Sequence, residues 1–192
     1  MADSRLQGGV VLTEMTDVFV ISVSHRPDGG SGSAALRSAG LPAHPSVAGG
    51  LIPVPGGCFA TLSPTRGILV TRARALSAKV IDALRPGLCD SAMAVDVSEG
   101  HSVLALSGFA SERPLAAGTD SAVPVDITAS ACTCRVFDVK VTLLRFDRQS
   151  RWLVVESSLA GHLAAHLRQS IRTITQASCA AWSALAPTGQ AP

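Results

Sequence analysis

Tyrosine is missing from this chain of 192 residues, and two Trp and five Phe bring the aromatic share to only 4%. Nucleic-acid surfaces combine stacking rings with clustered Lys and Arg, and the sequence has neither a ring platform nor a basic run, which excludes nucleic acid as a partner. Lysine is nearly as scarce. Lys79 and Lys140 are the two lysines among 16 basic residues, which stand against 14 acidic ones. Arg suits fixed ion pairs and interfaces better than a mobile solubilising coat. No stretch approaches the roughly 18 apolar residues of a membrane helix. The segment from Met1 to Gly9 lacks the basic and apolar regions of a signal peptide, so the expected location is the cytoplasm, away from membranes. Five cysteines form an odd set without a regular framework, and reduced thiols are expected.

What the chain does have is apolar residues. They make up 47%, charged residues 16%, and the mean hydropathy is +0.34. That balance is more apolar than an average soluble domain and implies that some surface meets a partner.

Residues 17–24, Asp-Val-Phe-Val-Ile-Ser-Val-Ser, are rich in β-branched and aromatic residues and predict a strand. From His25 to Gly57 the chain is loaded with Gly, Pro and Ser, which predicts a long loop ordered by a partner. Strands are expected at Phe59–Leu62 and Gly67–Thr71 around the turn Ser63–Arg66. A helix follows, with Ala75, Leu76, Val80, Ile81 and Leu84 on one face and Pro86-Gly87 as its stop. Ala92–Val97 and Val103–Leu106 flank the polar tetrad Ser98–His101 and read as a hairpin. A short helix is expected over Phe109–Ala117, capped by Gly118. Thr133–Phe146 reads as one long strand bent near Asp138, paired with Trp152–Glu156 across the turn Asp147–Ser150. Leu159, Leu163, Leu167, Ile171 and Ile174 then draw an apolar stripe along a helix with Ser158 as N-cap.

The expected class is α+β, with antiparallel sheets carrying helices on one face. Two small lobes are expected, 1–90 with the Gly/Pro/Ser-rich loop 25–57 and 91–186, followed by a flexible tail at 187–192.

Candidate chemistry is sparse. Cys132-Thr133-Cys134 would put two thiols on one side of a strand, yet zinc takes about four ligands and no second Cys pair supplies them. His162 and His166 share a helix face without the acidic residue of a His-Glu-x-x-His site, and fit the stripe's edge. Gly29-Gly30-Ser31-Gly32-Ser33 lacks both the strand-to-helix setting of a dinucleotide fingerprint and the Lys of a phosphate loop. No Gly-x-Ser-x-Gly elbow is present. Asp96 and Asp126 fit turn caps better than general bases, and His101 adjoins Asp96 across a turn. No catalytic, cofactor-binding or metal-binding residue is therefore assigned to this chain.

The order of several segments carries a resemblance. Leu62-Ser63-Pro64 with Gly67–Val70, Ala92–Ser98 and Val103–Gly108 resemble the aminomethyltransferase-type folate-binding fold. Pro124-Val125-Asp126-Ile127, Cys134-Arg135-Val136, Val141–Arg145 and Arg151–Ala160 resemble the gamma branch of heterotetrameric sarcosine oxidases. The match covers roughly residues 58–175 and leaves out the 25–57 loop and the tail.

That resemblance implies a non-catalytic accessory subunit of an oxidase that demethylates sarcosine to glycine and formaldehyde, or to methylene-tetrahydrofolate, with hydrogen peroxide. Alpha, beta and delta subunits would be the partners. They would hold FAD, FMN, NAD and zinc, with no cofactor on this chain. Alternatives are a complex of the same type acting on another secondary amine or N-methyl amino acid, and a stand-alone folate-dependent aminomethyltransferase-like protein. Arg168, Arg172 and Trp182 are the expected interface residues, being types enriched where partners dock.

Overall fold

A computed structural model describes residues 9–26, 30–41, 48–85, 92–119 and 129–185, with side chains for all of these except 30–33 and 178–185. The chain is α+β. In order it forms β1 (Val11–Met15), β2 (Phe19–His25), α1 (Gly30–Ser38), β3 (Leu51–Val54), β4 (Gly57–Ser63), β5 (Arg66–Thr71), α2 (Arg74–Ala83), β6 (Ala92–Asp96), β7 (His101–Ser107), α3 (Glu112–Ala116), β8 (Ser130–Val136), β9 (Val139–Arg145), β10 (Ser150–Glu156) and α4 (Ser157–Leu185).

The strands make two antiparallel five-stranded sheets. The first has the order β1-β7-β10-β9-β8 and the second β3-β4-β5-β2-β6. Alternation along each strand sends successive side chains to opposite faces, and both faces of both sheets are apolar. Val20, Cys58, Val70, Val103, Leu144 and Val154 fill the space between the sheets. Leu104, Leu143, Leu153, Leu163 and Leu167 form a core between the first sheet and α3 and α4. Ile21, Leu36, Phe59, Leu69 and Val80 form another between the second sheet and α1 and α2. Each sheet thus carries helices on its outer face and its partner sheet on the inner one. The long edges also meet, where the Gly49 and Ala129 carbonyls accept from the backbone N–H groups of Ala131 and Leu51.

Several expectations change. Ala92–Val97 and Val103–Leu106 do not pair: β6 lies on β2 in the second sheet and β7 between β1 and β10 in the first. The polar tetrad makes a single 3-10 turn at Ser98–Gly100 that carries the chain from sheet to sheet. Short polar turns serve both kinds of connection, and local sequence does not distinguish them. The 25–57 segment is not loop throughout. It holds α1 and β3, and Leu51–Val54 pair with Gly57–Ala60 around a turn where Gly56 takes φ +70°.

Thr133–Phe146 is a hairpin and not one bent strand. Val136 pairs with Val139, and Phe137 and Asp138 both adopt left-handed backbone, φ +48° and +62°. Two-residue turns of this kind favour Asn and Gly, so Phe-Asp gave no turn signal. The Phe137 ring stacks on His166 at 5.2 Å and covers Gly118, where a Cβ would come within 2.7 Å of it.

β10 passes directly into α4. Ser157 opens the helix and donates to the Glu99 carbonyl, so Ser158 lies in the first turn and not before it. Leu163, Leu167 and Ile171 are buried as the stripe predicts, joined by Ala160 and Ala164, but Leu159 is exposed and Ile174 half-buried. The expected helix at 109–117 shortens to α3, leaving Phe109 exposed. Neither sheet is one continuous half of the chain, because β1 joins the first sheet and β6 the second. Among the described residues no helix is long and apolar enough to cross a membrane. Pro86-Gly87, Cys89, Pro124–Ile127 and the tail 187–192 lie outside the described residues.

Candidate functional site

At one end of the sandwich the inner faces of the sheets part around a cleft of about 420 Å³. The second sheet contributes Ser22, Ser63, Arg66 and Ile68, and the first contributes His101, Thr133, Lys140, Thr142, Val154 and Glu156. The cross-strand register sets the neighbours. Thr133 pairs with Thr142, and Glu156 with His101. The His101 Nδ1 lies 3.0 Å from the Val97 carbonyl, a contact in which Nδ1 donates. Among the described residues, the side chains of Arg66, Lys140 and Glu156 make no hydrogen bond or ion pair. Ile68 and Val154 are buried and form an apolar floor. The cleft falls within the size range of small-molecule sites. Sequence reading missed it because it joins strand ends from facing sheets, which no spacing within one segment reveals.

Asp96 holds the turn above this cleft. Its Oδ1 accepts from the Ser98 backbone N–H at 2.9 Å and from the Ser98 hydroxyl at 2.5 Å, and that hydroxyl oxygen accepts from the Val20 N–H at 2.8 Å. Such use as a turn clamp is the role expected of Asp96. Asp126 lies outside the described residues.

Cys132 and Cys134 do share one face of β8, half-buried against the helix-side core. The Cys134 thiol donates toward Cys132 and the Arg145 guanidinium lies nearby; against the opposing effect of burial, these lower the Cys132 pKa to about 7. Cys134 is pushed up, chiefly by holding its proton for Cys132 and then by burial. Cys58, in the inter-sheet core, is raised to about 12 by burial alone. Arg145 and Arg151 pair across β9 and β10 and are both buried. Arg151 bonds to the Ser111 hydroxyl and the Arg148 carbonyl and lies 3.4 Å from Glu112. Arg151 thereby braces the end of the first sheet against α3.

His162 and His166 stand edge to face at 4.5 Å on α4, with His162 exposed. Among the described residues no group of three or more His, Cys, Asp or Glu is placed to hold a metal ion. Gly30 starts α1, the next element after β2, so the Gly-rich run does sit in a strand-to-helix setting, contrary to expectation, though without the Lys of a phosphate loop; Gly29 lies outside the described residues. Arg168 and Arg172 project from the exposed side of α4. Trp182 belongs to the same helix, its side chain outside the description.

No protein-family model matches this sequence, and no curated protein does. Solved structures do. A chain of the heterotetrameric sarcosine oxidase from Corynebacterium sp. U-96, solved with pyrrole 2-carboxylate, superposes with a TM-score of 0.76 at 23% identity, over 90% of this chain and 89% of that one. This chain has the fold of a sarcosine oxidase chain. The glycine cleavage system aminomethyltransferase T from Bartonella henselae follows with a TM-score of 0.63 at 14% identity, covering 83% of this chain but 45% of that protein.

The resemblance read from the sequence is therefore present in the fold. Its segments map onto the framework: Gly67–Val70 lies in β5, Ala92–Asp96 is β6, Val103–Ser107 lies in β7, Val141–Arg145 lies in β9 and Arg151–Glu156 lies in β10. Of the cleft's charged side chains only Glu156 sits in those segments, so likeness of fold and chemistry of the cleft are separate observations.

Proposed function

We propose that this chain is the gamma-type accessory subunit of a heterotetrameric, flavin-dependent oxidase of the sarcosine oxidase type. The carrying observation is the superposition over nine-tenths of both chains. The aminomethyltransferase matches less well, with a TM-score of 0.63, and over 45% of its own length.

In this reading the complex demethylates sarcosine, or a related secondary amine, to glycine and formaldehyde, or passes the carbon to tetrahydrofolate, with peroxide as co-product. Partner alpha, beta and delta subunits hold FAD, FMN, NAD and zinc. This chain supplies no residue to the chemistry and stabilises the assembly in the cytoplasm, docking through the exposed side of α4 with Arg168, Arg172 and Trp182. A chain rich in apolar residues and poor in lysine suits a permanent interface.

The test is co-expression with the alpha, beta and delta subunits of a sarcosine oxidase, followed by size exclusion and flavin-normalised turnover. Arg172→Ala combined with Trp182→Ala is expected to weaken assembly by about 2–4 kcal/mol, the scale of interface anchors, with turnover per intact complex near normal. Full assembly with lost turnover would place a catalytic residue on this chain and overturn the reading.

A further inference from the structure

We propose that the inter-sheet cleft is a binding site for a small organic acid, its carboxylate held between Arg66 and Lys140 and its apolar body resting on Ile68 and Val154. The inference stands apart from which complex the chain joins.

Arg66 comes from β5 of the second sheet and Lys140 from β9 of the first, so the two cations stand on opposite walls of one 420 Å³ space. Neither is in an ion pair or hydrogen bond among the described residues. Two like charges facing each other across one cleft repel, even where solvent reaches them. An anion between them replaces that repulsion with two attractive, charge-assisted contacts.

Lysine is scarce in this chain, and Lys140 is one of two in 192 residues. The hydroxyls of Ser22, Ser63, Thr133 and Thr142 line the same space and can donate to a carboxylate. Glu156 is the one carboxylate among the lining residues, so Arg66, Lys140 and Glu156 together sum to +1. Its place beside His101 puts it at the cleft end of β10. A monoanion matches that balance better than a dianion. The buried floor adds a preference for a molecule with an apolar body over a bare inorganic ion.

The test follows amide shifts of the full chain by NMR while adding benzoate, benzyl alcohol or inorganic phosphate. Benzoate is expected to give saturable shifts in the millimolar range or tighter, centred on Ser22, Ser63, Arg66, Lys140 and Thr142. Benzyl alcohol and phosphate should bind at least tenfold more weakly. Arg66→Gln with Lys140→Gln should lose at least tenfold in benzoate affinity with the remaining spectrum unchanged, and Glu156→Gln should gain affinity. Both cations are solvent-exposed, so these variants keep the fold. Equal binding of benzyl alcohol would remove the role of charge. Equal binding of phosphate would remove the apolar floor. Unaltered benzoate affinity in the double variant, shifts scattered over the surface, or no saturation would each overturn the proposal.

Discussion

At the level of single residues, the thiols give the sharpest prediction. Because the Cys132 thiolate is stabilised by the Cys134 thiol and Arg145, alkylation by iodoacetamide should rise with pH and reach half its plateau near pH 7. Cys134→Ala removes the donated hydrogen bond and should move that midpoint up towards an ordinary thiol. Cys58 should stay unlabelled in the folded protein at neutral pH. Mass spectrometry of labelled peptides reads all three, and equal labelling of Cys58 and Cys132 would contradict the environments described. A second residue-scale expectation concerns Gly108. It adopts φ +118°, and a Cβ there would lie 1.5 Å from the Gly9 carbonyl oxygen. Gly108→Ala should therefore cost roughly 3 kcal/mol or more, because backbone and not a yielding side chain must move. Chemical denaturation measures it. Asp96 was readable as a turn clamp because its partner Ser98 is two residues away. Arg66 and Lys140 were not readable as neighbours, since only the stacking of two sheets brings them together.

Among the elements, α4 was the most legible, because a 3.6-residue period survives wherever one helix face is buried. Its end was not. Leu159 has the right spacing yet is exposed, and Ala160 is buried in its place, since a stripe of four-residue steps drifts around a 3.6-residue helix. Leu167→Ala should cost about 2–5 kcal/mol, as expected for a fully buried Leu. Leu159→Ala should cost less than about 1 kcal/mol, and comparable losses would mean that the helix is seated differently. The 25–57 segment was hardest to read because Gly, Pro and Ser obscure short elements. β3 contains Pro53, tolerated at an outer position whose missing N–H need not serve a central ladder. The β8–β9 hairpin was hidden by a Phe-Asp turn whose left-handed backbone is held by Phe137 packing on His166.

For the whole molecule, composition and the strand-helix alternation gave the α+β class, and the order of short segments gave the resemblance now seen in the fold. The exchange of strands between sheets was not visible, because each strand looks the same whichever sheet accepts it. A cut between residues 90 and 91 would part β1 from β7 and β2 from β6. Fragments 1–90 and 91–192, expressed separately, should each fail to show cooperative unfolding, and the intact chain should unfold in one transition by circular dichroism and tryptophan fluorescence alike. Two independent transitions would show that the sheets are separable units.

The position of β1 also matters while the protein is being made. Met15 finds its partner in Val103, and at roughly 5–20 residues per second of synthesis the first strand waits several seconds for β7 to leave the ribosome. During that interval Val11, Leu12 and Met15 have no sheet to join, and the first sheet still awaits β9 and β10. β1 is thus made early yet locked in late, and its edge stays unpaired until β7 has emerged.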